Sequence, residues 1–545
     1  MSGWPRSHWT RASLIAVLLT VLHTWPLASA PATLSRNDNG DAMLNEWIVA
    51  WVQHQLPRHP LQLFQANIFY PAADSLAFSE PLIVPALLGA PVRLAGGSPV
   101  LVSNVLLLVG LTLTMLGMYA LVHAWTVDEF AALVAGAAFA FNTHTLMRLA
   151  HLQAMHAYGL PLALLAADRL MTTGRIQHAV WLALWITVMT YTSGYFAVFA
   201  FFLIAVVVAV RAPVWVANAR QVVPRLTLAA VLTVLAVFPL SLPYRRVAVE
   251  QRMMRSLDNV TEYSATPQGY LASAGRLHQR LWSSGEQHDA FFPGITIIIL
   301  GVCGLALVRR ETSGPVAVLA GIAAAGVVMS LGTRTPVYGW LYAVFPPLSG
   351  IRAAARFGIL FLLAMAGLAG FGLWQIRTRV ARRAAGLVGL TALALVTIEA
   401  LDAPLQFREF RGIPHLYALL AQESGPVVLV EQPFYPPQAV FMNAEYVLNS
   451  TSHWRPLMNG YSGYTPDTYR EFTKTFWFFP QPHSIDAMQR AGVTHVMVHP
   501  LRFDSMAPDI IRICDQERRL EKLGVGRNGL TLYRLRPWPP QPGTQ

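Results

Sequence analysis

The feature that most constrains this chain is a series of long apolar runs that recur from near the N-terminus to about residue 401. A helix needs about 20 mostly apolar residues to cross the hydrocarbon core of a bilayer. Charged residues make up only 12% of the 545 residues, which is about half their share in soluble globular proteins. Both a single soluble domain and a disordered chain are therefore excluded, and the sequence predicts a polytopic α-helical membrane protein.

Residues 1–401 are predicted to form the transmembrane domain, with about 11 membrane-spanning helices. The first apolar run has a second interpretation, because arginines precede it and Ala28-Ser29-Ala30 resembles the cleavage site of a signal peptide. In either case the chain after residue 30 emerges on the same side of the membrane. The predicted spans lie near residues 12–30, 99–122, 129–142, 156–171, 178–191, 195–210, 226–243, 293–308, 314–331, 356–375 and 384–401.

The arginines between these runs predict the orientation, because short loops rich in arginine favour the cytoplasmic side. With a cytoplasmic N-terminus, the segment 244–292 argues against this orientation, because it would lie outside and yet carries six arginines. The orientation is kept because this loop is long and the arginine cluster at 377–383 is the stronger local signal. The net charge of +12 therefore reflects topology in a cytoplasmic (inner) membrane and indicates no nucleic-acid partner. The arginines assigned to short inner connections are Arg6, Arg11, Arg169, Arg175, Arg211, Arg220, Arg225, Arg309, Arg310, Arg377, Arg379, Arg382 and Arg383.

The outer face then receives a long first loop at 31–98, the segments 244–292 and 332–355, and the chain after about residue 402. Residues 402–536 are predicted to form an extracytoplasmic α/β domain, because strand-like and helix-like patterns alternate there. The proline-rich residues 537–545 are predicted to be a disordered tail. The strand patterns cover 427–430, 494–498 and 530–535, and the helical patterns cover 411–423, 484–492 and 508–523.

The first outer loop contains two carboxylates, Asp38 and Asp41, before a helical pattern over residues 42–54. Trp47 and Trp51 share one face of that pattern, which predicts an amphipathic helix lying on the membrane surface. Asp41 stands where an N-cap is expected, and Asp38 can shape a turn, so both have local structural alternatives. A carboxylate at the level of the lipid headgroups is also where an enzyme acting on a lipid-linked substrate needs a base.

Other polar residues of the outer segments are candidates for substrate binding, although each could equally pack a loop or a domain edge. Asn67 and Glu80 could contact a cation or a sugar. Residues 191–195 are interpreted only as a tight turn between two spans. In the C-terminal segment, aromatic and hydrogen-bonding side chains that could orient a sugar or an acceptor follow one another: His453, Trp454, Asn459 and Tyr461.

The first outer loop and its surroundings resemble the GT-C superfamily, whose members are integral-membrane glycosyltransferases that use polyprenyl-phosphate-linked sugars. The resemblance rests on Gly40-Asp41, on Phe64-Gln65-Ala66-Asn67-Ile68-Phe69-Tyr70-Pro71 and on Ser79-Glu80, together with Trp47, Trp51 and His54. Arg352-Ala353-Ala354-Ala355-Arg356-Phe357 is similar to a bacterial subgroup of these proteins. Asn459-Gly460-Tyr461-Ser462-Gly463-Tyr464 also resembles YfhO-like membrane proteins.

This resemblance implies a sugar transfer in which polyprenyl phosphate is the leaving group and one carboxylate deprotonates the acceptor. Asp41 or Asp38 is the expected base. The adjacent Asp-Glu pair of some members is absent, which leaves the choice of base and a divalent cation open. Arginine binds phosphate through paired N–H groups, so Arg352, Arg356 and Arg148 are candidates for the donor phosphate, with His151 nearby. Arg352 and Arg356, four residues apart, are expected on one helical face, although each arginine could instead anchor the protein at the interface.

Two other functions remain open from the sequence. A transporter or flippase of lipid-linked glycans should place ionisable residues inside its spans, and the centres of these spans carry almost none. A non-catalytic assembly protein of the same architecture is also compatible with the sequence. A cytoplasmic nucleotide-sugar site has no support, because no glycine-rich phosphate loop is present.

Overall fold

The computed structural model describes residues 6–252, 256–282 and 290–537, and up to residue 400 these fold almost entirely as helices. The prediction of a disordered tail falls outside the described residues except at position 537. The helices of this part are α1 (Arg6–His23), α2 (Gly40–Gln55), α3 (Ile83–Leu94), α4 (Pro99–Thr126), α5 (Glu129–Ala140), α6 (Thr143–Leu146), α7 (Leu152–Met155), α8 (Gly159–Thr173), α9 (Ile176–Thr192), α10 (Gly194–Val210), α11 (Ala212–Trp215), α12 (Ala219–Glu250), α13 (Leu257–Glu262), α14 (Arg276–Trp282), α15 (Ile295–Ala306), α16 (Ser313–Ser330), α17 (Pro336–Val344), α18 (Gly358–Arg377) and α19 (Arg382–Ala400).

Each predicted apolar run overlaps one of these helices, and the chain is a multi-pass membrane protein. Five helical stretches of the described residues are long and apolar enough to cross a membrane. For the remaining runs, whose helices have 12 to 18 residues, a full crossing stays a prediction. The five stretches are Pro99–Thr126, Ala212–Glu250, Arg310–Ser330, Ala354–Arg377 and Arg382–Ala400.

One face of the helical part is joined by ion pairs between the ends of different helices. These pairs connect arginines that the sequence assigned to inner connections with carboxylates at the same level. The predicted grouping of these connections on one face is therefore present, while its assignment to the cytoplasm stays a prediction. The pairs are Arg11–Glu129 (2.7 Å), Asp168–Arg211 (2.6 Å) and Asp128–Arg377 (3.0 Å).

The C-terminal segment is built on a four-stranded sheet whose strands stand in the order β3 (Leu429–Gln432), β4 (His495–Val498), β6 (Thr531–Leu535) and β5 (Leu520–Val525). Strands β3 and β4 are parallel, and the other neighbouring pairs are antiparallel. The sheet core consists of apolar side chains such as Val430, Val496 and Leu532, all fully buried. The elements of this segment are β2 (Arg408–Glu409), α20 (Tyr417–Gln422), β3 (Leu429–Gln432), α21 (Ala444–Asn449), α22 (Asp467–Phe476), α23 (Pro482–Arg490), β4 (His495–Val498), α24 (Ala507–Gln516), β5 (Leu520–Val525) and β6 (Thr531–Leu535).

Strand β5 corrects the sequence prediction of helical structure over 508–523. The helix ends at Gln516, and the chain then pairs with β6 from Leu520 onward. Main-chain pairing with a neighbouring strand is a tertiary contact, and it overrides a local helical pattern of this length. The prediction of strands near 427–430, 494–498 and 530–535 agrees with β3, β4 and β6, whereas the domain boundary at residue 402 stays a prediction.

The first outer loop is joined to the C-terminal segment by main-chain hydrogen bonds. Strand β1 (Leu34–Ser35) pairs antiparallel with β2. Further along the loop, the N–H of Tyr70 donates to the carbonyl of Leu457 at 3.0 Å, and the N–H of Phe69 donates to the carbonyl of Asn459 at 3.1 Å. These bonds hold the first loop and the C-terminal segment in a defined register.

Helix α2 is enclosed by protein, and this overturns the prediction that it lies on the membrane surface. It packs against α3, α4 and the C-terminal helix α21. Its tryptophans Trp47 and Trp51 are only 1% and 4% exposed. The apolar face that the sequence pattern revealed is real, but other segments of the chain cover it in place of lipid.

Candidate active site

The Asp41 carboxylate stands in the first turn of α2, and the local structure leaves it free for other contacts. The N-cap is Asn39, whose side chain accepts the N–H of Asp41 at 2.8 Å. The alternative in which Asp41 itself caps the helix is therefore wrong, because the helix begins one residue earlier, at Gly40.

Two neutral donors from distant parts of the chain hold this carboxylate. The Tyr461 hydroxyl donates to Oδ1 at 2.6 Å, and Nε2 of His151 lies 3.2 Å from Oδ2. The Asp41 side chain is still 36% exposed. Because an ionised carboxylate has about four acceptor positions, a substrate hydroxyl can hydrogen-bond to it without displacing either partner.

The electrostatics keep Asp41 ionised. Burial alone would raise its pKa, but the hydrogen bonds from His151 and Tyr461 and the charge of Arg356 lower that pKa to about 2. The pKa of His151 is lowered, first by its burial and then by the charges of Arg356 and Arg148, despite the opposing hydrogen bond to Asp41. Burial and the neighbouring carboxylate raise the pKa of Tyr461. At neutral pH the site therefore contains one anion held by two uncharged donors.

Two arginines complete the surroundings, and both rest on aromatic rings. The guanidinium carbon of Arg356 lies 4.6 Å from the ring centroid of Tyr195, and that of Arg352 lies 4.6 Å from the ring of Tyr263. Neither of the two forms an ion pair with a carboxylate within the described ranges, and Nε of Arg356 is buried without a hydrogen-bond partner. Stacking on a ring orients a guanidinium while leaving its N–H groups available to an anion.

The two arginines do not share a regular helical face, in contrast to the sequence prediction. Residues 351–353 are not helical, and residues 354–357 form a single turn of 3-10 helix. The tyrosine rings, which belong to other segments, set the two guanidinium positions. The charge of Arg356 acts on Asp41 and that of Arg352 acts on Tyr461, so both arginines belong to the same electrostatic environment.

Glu80 lies in the same environment, at the N-terminus of α10. Its Oε2 accepts the N–H of Gly194 at 2.7 Å. Burial raises its pKa, although the Gly194 N–H and the charge of Arg356 act in the opposite direction. The turn at 191–195, interpreted from the sequence only as a connection, thus supplies both the Gly194 N–H and the Tyr195 ring. Its only signal in the sequence was its position at the outer end of two spans.

Comparison with known proteins was made at the level of sequence and of structure. The sequence matches no family model and no curated protein. The structure is similar to arabinofuranosyltransferase AftD from Mycobacteria, with a TM-score of 0.61 and 14% identity over 98% of this chain and 40% of that one. The chain has the GT-C fold.

Two further structures are similar at lower scores. ArnT from Cupriavidus metallidurans, bound to undecaprenyl phosphate, has a TM-score of 0.47 with 12% identity, and 97% of this chain and 98% of that one are covered. The oligosaccharyltransferase AglB from Archaeoglobus fulgidus has a TM-score of 0.48 with 14% identity, and the coverage is 92% and 71%. This chain spans about two fifths of the length of the mycobacterial AftD chain.

Within this GT-C fold, the other predicted site residues of the membrane part separate into two groups. The charge of Arg148 acts on His151 and on His144, so it lies near the Asp41 cluster. Asp38 instead pairs with Arg36 at 3.3 Å. The described contacts thus connect Asp41, and not Asp38, with the predicted phosphate-binding arginines.

Asn67 connects the first loop to the C-terminal segment. Its amide donates to the Ser450 hydroxyl at 3.1 Å and to the carbonyl of Arg455 at 3.2 Å, and its oxygen accepts the indole N–H of Trp47 at 3.2 Å. Both the nitrogen and the oxygen of the Asn67 amide are thus bonded to protein groups, and the residue is buried. The contacts favour the loop-packing alternative for this residue over substrate binding.

The four predicted residues of the C-terminal loop differ in their contacts. His453 accepts the N–H of Arg455 at 2.9 Å, and burial lowers its pKa to about 3. The ring of Trp454 stacks on His54 at 4.3 Å, and the buried Asn459 accepts the N–H of Glu431 at 2.7 Å. Of the four residues, Tyr461 is the one whose described contacts reach the Asp41 carboxylate.

The sequence left open whether a divalent cation takes part. Within residues 6–252, 256–282 and 290–537, no group of three or more His, Cys, Asp and Glu side chains is placed to hold a metal ion. The charge of the Arg356 guanidinium acts on both Asp41 and Glu80.

Proposed function

We propose that this protein is a membrane glycosyltransferase that moves a sugar from a polyprenyl-phosphate carrier to a hydroxyl of a lipid, glycan or protein acceptor. We place the reaction on the outer face of the cytoplasmic membrane, with the N-terminus in the cytoplasm. One observation carries the proposal: an ionised, partly exposed Asp41 is held by two neutral donors next to stacked arginines without carboxylate partners. The GT-C fold supports it.

The chemistry needs one base and a set of cations. Polyprenyl phosphate leaves as a stabilised anion, so no acid has to protonate it. Asp41 accepts the proton of the acceptor hydroxyl as that oxygen attacks the anomeric carbon from the side opposite the phosphate, which inverts the configuration. A carboxylate with a pKa of about 2 is a weak base. It suits a reaction in which the bond to phosphate is largely broken before the proton moves.

The phosphate is proposed to bind Arg356 and Arg352, with Arg148 contributing longer-range charge. Arg356 is central because its charge reaches Asp41, Glu80 and His151. Glu80 accepts the N–H of Gly194 at the start of α10, and helix N-termini favour anions. We propose that Glu80 orients this turn and contacts a hydroxyl of the donor sugar.

An apolar groove of about 440 Å³ between α9, α10 and α12 supports a lipid-linked donor. Its walls include Phe201 and Phe238, and hydroxyl groups such as Thr190 line it as well. Two of its helices lead to the site, because α10 begins at Gly194 beside Glu80, and Tyr244 of α12 donates to the carbonyl of Ser79 at 2.7 Å. We propose that the polyprenyl chain occupies this groove while its phosphate reaches Arg356.

The test is a transfer assay with the full chain in lipid nanodiscs and a panel of polyprenyl-phosphate sugars. Asp41→Asn should lower transfer about 100- to 10,000-fold, whereas Asp38→Asn, altered in the same loop, should retain it. Loss only in Asp38→Asn would assign the base to Asp38. Full activity in both variants would refute the proposed mechanism, and movement of the lipid-linked sugar across the bilayer without transfer would favour the flippase alternative.

A further inference from the structure

A cavity separate from the apolar groove lies at the end of α2 opposite to Asp41. Its volume is about 570 Å³, and its lining comes from the C-terminal ends of α2 and α3 and the residues that follow α2. Helix α2 advances about 1.5 Å per residue, so His54 lies roughly 20 Å along the helix from Asp41. The cavity is therefore separate from the proposed transfer site. Its lining residues are Gln53, His54, Pro57, Arg58, Arg93 and Leu94.

The charge in this cavity is positive, and no carboxylate among the described residues pairs with it. Burial lowers the pKa of Arg93, and the nearby charge of Arg58 lowers it further. Each guanidinium donates one described hydrogen bond to a backbone carbonyl. Arg58 donates to the carbonyl of His54 at 2.7 Å, and Arg93 donates to that of Gly97 at 2.9 Å. Since a guanidinium has five N–H donors, most of them remain available to a ligand.

Uncharged groups complete the lining. Burial and the charges of Arg58 and Arg93 lower the pKa of His54 to about 4, so its ring is neutral at pH 7. The Nε2 of Gln53 donates to the carbonyl of Ala86 at 2.8 Å, while its Oε1 is buried without a partner. The cavity therefore offers two cations for an anion and one acceptor for a hydroxyl group of the same ligand.

Exposed leucines border the cavity. Leu94, which forms part of its wall, is 88% exposed, and Leu87 and Leu88 of the same helix are 55% and 43% exposed. The chain then turns at Gly96 and Gly97 and enters α4, a helix long and apolar enough to span the membrane. Exposed leucines next to the end of a span are expected to contact lipid.

We propose that this cavity binds the phosphate headgroup of an anionic membrane lipid. Arg58 and Arg93 contact the phosphate, Gln53 accepts a headgroup hydroxyl, and the acyl chains descend along Leu94 and the exposed leucines of α3. The stacking of His54 on Trp454 connects the occupied cavity to the C-terminal segment. This inference does not depend on the proposed transferase activity.

Native mass spectrometry of the detergent-purified full chain tests the proposal, with phosphatidylglycerol, phosphatidylcholine and inorganic phosphate as separate probes. The wild type should retain phosphatidylglycerol over phosphatidylcholine. Arg58→Gln/Arg93→Gln should weaken that retention roughly 10-fold or more, because each basic residue near an anionic lipid contributes about 1 kcal/mol. Arg58→Lys/Arg93→Lys, which keeps both charges, should retain most of the preference and guards against a folding defect.

The matched control is Arg518→Gln/Arg527→Gln, which removes two exposed arginines of the C-terminal segment and should leave retention unchanged. Equal retention in the wild type and Arg58→Gln/Arg93→Gln would overturn the proposal. Competition by inorganic phosphate at the same concentration as the lipid would overturn the lipid assignment and identify a general anion site. A chain without transferase activity that still shows the lipid preference would refute the proposed function alone.

Discussion

Two regions of the helical part, the face that holds the ends of α5, α8 and α18 and the surroundings of Asp41, use the same charged residue types in opposite ways. At the face that holds the ends of α5, α8 and α18, Asp128, Glu129 and Asp168 are each paired with an arginine. Asp168 and Arg211 lie 2.6 Å apart, with side chains only 4% and 11% exposed. In the other region, neutral donors hold Asp41, and Arg356 stacks on a tyrosine ring.

The difference shows how one composition yields both structure and a reactive site. A closed ion pair uses both charges on each other, so it leaves nothing for a ligand, and removing one partner leaves an uncompensated buried charge. A carboxylate held by neutral donors keeps its charge available, as does an arginine held by a ring. The four predictions below test this contrast, in order of their expected effect on sugar transfer.

The largest effect is expected from Asp41→Asn. We expect the transfer rate to fall about 100- to 10,000-fold, which is the contribution of a positioned general base. The amide keeps the size of the side chain, so thermal unfolding should change little. Radiolabelled sugar transfer and the unfolding midpoint, measured on the same preparation, check both statements. An unfolding midpoint that drops as much as that of an ion-pair variant would mean that Asp41 is structural.

A smaller loss is expected from Arg356→Gln, which removes the cation whose charge reaches Asp41, Glu80 and His151. A hydrogen bond to a charged group contributes about 1.5–3 kcal/mol, or roughly 10- to 100-fold. The loss should appear mainly in the KM for the lipid-linked donor. Arg356→Lys, which keeps the charge without the paired N–H geometry, should recover part of it. An effect confined to the acceptor KM would contradict the assignment to the donor phosphate.

Tyr461→Phe should lower transfer by only about 10-fold, because it removes one hydrogen bond to Asp41. It should also raise the pKa of Asp41, since the Tyr461 hydroxyl is one of the groups that lower that pKa to about 2. A carboxyl whose pKa is lowered in the folded protein stabilises the fold at pH values above its unfolded pKa. This stabilisation is lost as the pH falls through about 2. Because Asp41 must be ionised to act as the base, the acid limb of the pH–rate profile should move to higher pH in Tyr461→Phe. An unchanged limb would mean that the contact contributes nothing to ionisation.

Asp168→Asn should have the smallest effect on transfer and a large effect on stability. Removing one partner of a buried ion pair leaves the guanidinium of Arg211 uncompensated, which costs about 3–5 kcal/mol. Transfer per folded molecule should stay within about twofold of the wild type, because this pair lies at the face away from Asp41. The unfolding midpoint and the activity normalised to folded protein give the two readings. A loss of normalised activity as large as that of Arg356→Gln would contradict the distinction between the structural ion pairs and the Asp41 site.

Much of the fold could be predicted from the sequence, because length, apolar content and arginine spacing are properties of short stretches. Each apolar run overlaps a helix, and the arginine-rich connections that form ion pairs lie together at one face. The resemblance pointed to Asp41 or Asp38 as the base, and which of the two acts stays a prediction. Strand β5 escaped prediction because its existence depends on pairing with β6.

Only the tertiary structure decided the composition of the site. The hydroxyl that holds Asp41 belongs to Tyr461, 420 positions later in the chain, and the rings under Arg356 and Arg352 come from Tyr195 and Tyr263. The sequence alone determined that helices cross a membrane, because apolar length is sufficient for that outcome. Which side chains meet at Asp41 depends on how distant segments pack, and no periodicity within one segment records it.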